Sequence, residues 1–150
     1  MTFRNLLEKG EGTIYLVNIK KPFKVEVYDS LIMTKGEFYN RYQHHLGYYR
    51  EPNNPQDVRI LRKSHDKRCN TINGFPRPVE FSSVCPNLTV LPTELDKSVH
   101  KSWKVIAFTN KDDACDYVID KIKRQKLEFN AMLIKANKLK FGNDTEDDLQ

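Results

Sequence analysis

The chain contains no apolar run approaching the ~18 residues a membrane-spanning helix needs, and its opening, MTFRNLLEKGEG, lacks the apolar core of a secretory signal. A soluble cytoplasmic protein with no membrane contact is therefore expected. Cysteine is scarce. The three present, Cys69, Cys85 and Cys115, are odd in number, widely spaced and form no CxxC. That excludes a disulfide framework and points to free thiols in a reducing compartment. Glycine is also sparse, six in all, and none stands in a GxxxxGK phosphate loop, so nucleotide hydrolysis is not expected. A structural zinc usually takes two close ligand pairs. Only His65 and Cys69 have workable spacing, with His44, His45 and Cys85 elsewhere, so neither a metal nor a cofactor is expected.

What is present suits a folded protein. Of 150 residues, 39% are hydrophobic and 30% charged, a balance typical of globular chains and large enough for one core. One domain over residues 1–142 is expected, followed by an acidic, disordered tail over 143–150. The net charge is +5, yet DTEDDLQ at the end carries four acids and no base. Without those four acids the rest of the chain stands at +9. Basic surfaces meet polyanions because Lys and Arg displace counterions condensed on phosphates.

Hydrophobic periodicity places the elements. Thr13–Ile19 and Phe23–Tyr28 read as strands, the second alternating Phe23, Val25 and Val27 with polar neighbours. Lys20-Lys21-Pro22 joins them as a hairpin, and SLIM extends or follows the second strand. Thr34 and Glu37 match a capping box and predict a helix from Lys35 to Tyr49, stopped by Pro52 and Pro55. VRILRK (58–63), VEFSSV (79–84) and LTVL (88–91) are further strand candidates, and WKVIAFT (103–109) reads as a central strand. A long helix capped by Thr109 or Asn110 follows, with Asp112 and Asp113 in its first turn and Gly142 at its end. Cys115, Val118, Ile119, Ile122, Phe129, Met132, Leu133 and Ala136 recur at helical spacing and predict its core face. The fold class is α+β: an antiparallel sheet of about five strands packed by two helices.

The segment EFYNRYQHHLGYYR (37–50) divides on a helix. Phe38, Tyr42, His45, Leu46 and Tyr49 share one face, the spacing of a core stripe. Arg41, His44 and Tyr48 share another, with Arg50 just beyond. Basic residues continue at Arg59, Arg62, Lys63, Lys67 and Arg68, so that Lys35 to Arg68 holds eight bases and four acids. Arginine binds phosphate bidentately and tyrosine stacks on bases. These nine positions, Arg41, His44, Tyr48, Arg50, Arg59, Arg62, Lys63, Lys67 and Arg68, form the candidate nucleic-acid surface. Phosphate contacts would dominate and sequence preference would be weak.

Two resemblances accompany this reading. Thr13-Ile14-Tyr15 resembles the first triplet of GIY-YIG nucleases, and Arg41 with His45 resembles their helix pair, with Glu80 for the metal-binding acid. Where that family has its second triplet, this chain has Val27-Tyr28-Asp29. The resemblance implies that Tyr15 helps activate a water, Arg41 holds the phosphate and Glu80 holds a divalent ion. Separately, KVIAFTNKDDACDYVIDKIKRQK resembles pieces of small accessory proteins of large tailed bacteriophages. This implies binding to host factors, DNA or virion parts. The leading expectation is a non-enzymatic nucleic-acid-binding accessory protein, with DNA as the favoured partner. The second is a protein–protein module using the loop-rich middle around Asn70 to Pro92, with Phe75, Pro76, Pro78 and Phe81. The third is a metal-dependent nuclease.

Overall fold

The computed structural model describes residues 1–44, 50–63, 71–72, 74–79 and 88–142. An eight-residue strand, β1 (Glu11–Asn18), lies in the middle of the sheet. It pairs antiparallel with β2 (Glu26–Thr34), Tyr15 opposite Val27, and with β9 (Val105–Phe108), Leu16 opposite Ala107. Beyond β2 lies β3 (Val58–Lys63), with Ile32 opposite Ile60. Two short strands, β6 (Pro78–Val79) and β7 (Leu88–Val90), share the outer edge of β3. On the other side β8 (Val99–Lys101) pairs with β9. A separate two-stranded piece joins β4 (Thr71–Ile72) to β5 (Phe75–Pro76). The α+β class and the antiparallel pairing match expectation, with more strands than the sequence pattern indicates.

Helices cover both faces of the sheet. On one face α1 (Phe3–Lys9) buries Phe3 and Leu6 against Ile14, Leu16, Ile32, Ile60, Val105 and Ala107. On the other, α2 (Lys35–Tyr42) lays Phe38 and Tyr42 on Leu31, Met33 and Leu61. Beside it the start of α3 (Lys111–Phe141) sets Ala114 and Val118 on Val17, Ile106 and Phe108. The buried Thr109 hydroxyl donates to the Met1 carbonyl at 2.6 Å, tying the start of the chain to the end of β9.

Several boundaries differ from the sequence expectation, each for a physical reason. Helix α1 was not expected, although Thr2 and Asn5 form a reciprocal cap and Gly10, at φ 77°, closes it in the left-handed conformation. The second strand begins at Glu26, leaving Phe23 and Val27 exposed. Its buried part is Ser30-Leu31-Ile32-Met33, four consecutive residues covered from both faces, so period two does not mark it. Trp103 is not in the central strand. It is 74% exposed, with the Lys104 ammonium 4.4 Å from its ring centroid. Thr34 caps α2 through the Glu37 amide at 3.1 Å, but the Glu37 carboxylate turns to Arg41 instead of completing the box. Described helix α2 ends at Tyr42, and His45, Leu46 and Tyr49 lie outside the described residues, as do 80–84 of the VEFSSV strand and the acidic tail.

The largest departure concerns α3. It runs for 31 residues, about 46 Å at 1.5 Å per residue. Only Ala114 and Val118 are buried; Cys115 is half-buried, and from Ile119 onward the expected core face is exposed or half-buried. Among the described residues no helix is long and apolar enough to cross a membrane.

Core and protruding helix should respond differently to truncation. Leu16→Ala, in a fully buried position, is expected to lower the unfolding free energy by about 2–5 kcal/mol in urea titrations. Leu127→Ala, on the exposed helix, should stay within about 0.5 kcal/mol of the parent.

Candidate nucleic-acid interface

Strand alternation decides where the basic residues of β3 point. Ile60 belongs to the cluster under α1 and Leu61 to the cluster under α2. Arg59 and Lys63 therefore share the α2 face, and Arg62 shares the opposite face with Ile60. The expected surface is split by the sheet itself. Arg62 lies with its guanidinium carbon 5.8 Å from the Tyr28 ring centroid. On the α2 face, Arg59 lies 4.6 Å from the Phe38 ring centroid, and Lys63 pairs with Glu11 at 2.7 Å.

Arg41 pairs with Glu37 one helical turn earlier and lies 4.7 Å from the Phe75 ring centroid. His44 is exposed just past the helix. The Arg41 and Lys63 pairs are part-exposed, where an ion pair contributes about 0–1 kcal/mol. Either cation can exchange its partner for a phosphate at small cost. Tyr48, Lys67 and Arg68 lie outside the described residues.

The α2 face also carries a cavity of about 490 Å³ lined by Lys35, Arg50, Pro52, Asn53, Asn54, Arg59 and Thr89. Two expected residues, Arg50 and Arg59, meet there. Lys35 joins them from the first turn of α2. Its wall is held by the backbone. The Lys35 amide donates to Asp57 O at 2.8 Å, Gly36 N to Pro55 O at 3.0 Å, and Asp57 N to Asn54 O at 3.1 Å. Gly36 allows this approach, because a Cβ there would stand 3.1 Å from the Pro55 Cβ and 3.3 Å from its carbonyl oxygen. Lys35 is partly neutralised by Asp57 at 3.8 Å. The lining thus offers three cations, two side-chain amides and a hydroxyl, a donor set suited to phosphate oxygens.

Sequence reasoning did not find Lys35, Asn53, Asn54 or Thr89. Lys35 reads as the first residue of the predicted helix, and the asparagines lie between Pro52 and Pro55, the two prolines read as its stop. Thr89 shares a face with Arg59, its partner across the β3–β7 ladder, a pairing visible only once the strands are matched.

The nuclease constellation is not assembled by described residues. Tyr15 packs with Val17 and Phe108 near α3, whereas Arg41 stands on α2. His45 and Glu80 lie outside the described residues. Among the described residues no cluster of three metal-ligating side chains occurs, and His65, Cys69 and Cys85 lie outside them. In the loop-rich middle, Phe75 is part-exposed beneath Arg41, and the Pro76 carbonyl accepts from the buried Tyr42 hydroxyl. Phe81 is not among the described residues.

No family model matches the chain, and no curated protein and no solved structure is significantly similar to it.

Tyr28 marks the face opposite the cavity. Burial, then its hydrogen bond to Glu26 and the charge of that carboxylate, push its phenol up to about 12, against the opposing pull of Arg62. The folded state favours the neutral phenol. Its contribution is complete below the ordinary value of 10.0 and is lost as pH rises through about 12. Unfolding measured from pH 9 to 12 should show this loss, and Tyr28→Phe should remove it. An unchanged alkaline profile in that variant would contradict the assignment.

Proposed function

We propose that the chain is a non-enzymatic nucleic-acid-binding protein that holds the phosphates of a strand, taken as DNA, in the cavity between α2, β3 and the 50–57 connection. The observation that carries this reading is the meeting of Lys35, Arg50 and Arg59 around one cavity of about 490 Å³. That volume falls within the range of about 300–1,000 Å³ usual for ligand pockets. Arg59 is braced by the Phe38 ring, and the Lys35 ammonium is held 3.8 Å from Asp57. Two of the three cations are thus oriented in advance, which lowers the entropic cost of fixing them on a phosphate.

Arg41, farther along α2, and His44, just past its end, extend the basic track. Asn53, Asn54 and Thr89 donate to phosphate or sugar oxygens, contacts that position a strand without reading its sequence. Affinity then depends on counterion release and falls with salt.

The test is a salt series of binding to mixed-sequence DNA and RNA oligonucleotides. With three phosphates neutralised, log K should fall against log salt with a slope of about −2 to −3. Arg50→Glu and Lys35→Gln should each weaken binding about tenfold or more and flatten that slope by about one. Lys101→Glu, on the far edge strand β8, should change affinity less than about twofold. Equal losses in Lys101→Glu and Arg50→Glu would reduce the effect to overall charge and sink the cavity. Repeating the series with magnesium and scoring strand cleavage separates binding from the nuclease alternative.

A further inference from the structure

We propose that the protruding part of α3 is a self-association surface, and that a second copy of this chain lies antiparallel along it. Beyond its anchored first turns the helix carries Ile122, Gln125, Phe129, Met132, Ala136 and Leu139, spaced alternately by three and four residues. That is a heptad seam. Its apolar members are exposed, Phe129 58%, Met132 60% and Leu139 83%, while Gln125 is half-buried.

The seam reads the same in both directions. Set antiparallel, Ile122 faces Leu139 of the second copy, Gln125 faces Ala136, and Phe129 faces Met132. Large residues meet large, and the single polar position meets the small one. This is the self-complementarity that a two-fold contact requires, and an unrelated partner would not need it.

Charge fixes the direction. Residues 121–141 contain seven bases and one acid, Glu128. In the antiparallel pair Glu128 flanks the seam beside Lys135 of the other copy, twice by symmetry. A parallel pair would instead set Lys121 by Lys126 and Lys135 by Lys140, like against like.

The body of the protein supplies a socket. A groove of about 580 Å³ lies between the β1–β2 connection and α3, lined by Phe23, Ile122, Gln125, Lys126, Phe129 and Asn130. The antiparallel register brings Leu139 of the second copy beside Ile122, at this groove. The exposed Phe23 then gains an apolar neighbour.

The outward positions Lys123, Arg124 and Lys138 leave each helix strongly basic, so the two copies repel at long range. Added salt screens that repulsion and leaves the apolar seam intact, so the pair tightens as salt rises. Phosphate binding at the cavity has the opposite dependence.

Sedimentation equilibrium of the full chain is expected to show 35.2 kDa, twice 17.6 kDa, with association strengthening about tenfold between ~0.05 M and ~0.5 M salt. Leu139→Asp should give the 17.6 kDa species with its helix content unchanged by circular dichroism. Glu128→Lys should weaken pairing about tenfold, and adding Lys135→Glu to it should restore pairing. Ile134→Lys, on the separate line of Leu127, Ile134 and Phe141, should leave the pair intact. A monomer at every concentration and salt overturns the proposal, as does a dimer indifferent to Leu139→Asp or one equally broken by Ile134→Lys. A monomer that instead binds anionic vesicles overturns it in favour of a lipid surface. None of these outcomes touches the DNA reading, whose variants lie at Lys35 on α2 and at Arg50 in the connection after it.

Discussion

The burial of β1 on both faces is the constraint from which the remaining architecture follows. Ile14 and Leu16 point to one side of the sheet and Val17 to the other, and all three are fully covered. A strand in that position must be hydrogen-bonded on both edges and roofed on both sides. The edges are filled by β2 and β9, and the roofs by α1 on one face and by α2 and the foot of α3 on the other. The short α1 is therefore no appendage. Its Phe3 and Leu6 complete the core under Leu16, and its backbone is fixed to the 95–97 turn through Phe3 N to Lys97 O and Arg4 N to Leu95 O.

The same constraint explains why α3 behaves as two helices in one. Its first turns are needed over Val17, Ile106 and Phe108, and the sheet then ends. Nothing in the described residues roofs the remaining turns, yet the sequence keeps apolar side chains there. A helix of solvated surface would substitute Lys, Glu or Gln at such positions at almost no energetic cost. Retaining Phe129, Met132 and Leu139 in full view concentrates apolar area of the kind that marks an interface.

Periodicity made the strong local elements legible: VRILRK is β3 to the residue, and the Thr34 cap and the start of α3 fall where their signals lie. Where burial is two-sided, as at Ser30–Met33, it left open whether the segment extends or follows the second strand, and it was silent where an element is held by tertiary contacts, as β8 and α1 are. It misled at α3, because an apolar stripe at helical spacing looks the same whether it faces its own sheet or another molecule. The candidate cavity was half legible. Arg50 and Arg59 were found from basic density, but the sequence carries no trace that Lys35 and Thr89 stand beside them. That depends on β7 pairing with β3 across a long excursion, and on Gly36 letting the Pro55 backbone close in. Arg62 was grouped with Arg59 by proximity in the chain, and the alternation of a strand puts them on opposite faces.

The cavity and the α3 seam lie toward opposite ends of the sheet, the first beside β3 and β7, the second rising from β1 and β9. Neither uses a residue of the other, so the proposed pairing along α3 would leave both cavities open. The proposed two-fold pair would present two of the proposed phosphate sites at a spacing set by two anchored helix feet rather than by a flexible linker. For a strand long enough to reach both, the second engagement would be intramolecular, and apparent affinity would rise by about 10²–10⁴ without any new contact. For a short oligonucleotide there would be no such gain. Under the two proposals together, length of the nucleic acid, more than its sequence, is the property the assembly would distinguish. Salt would set the balance: the ions that weaken each phosphate contact would also strengthen the pairing that makes two contacts act together.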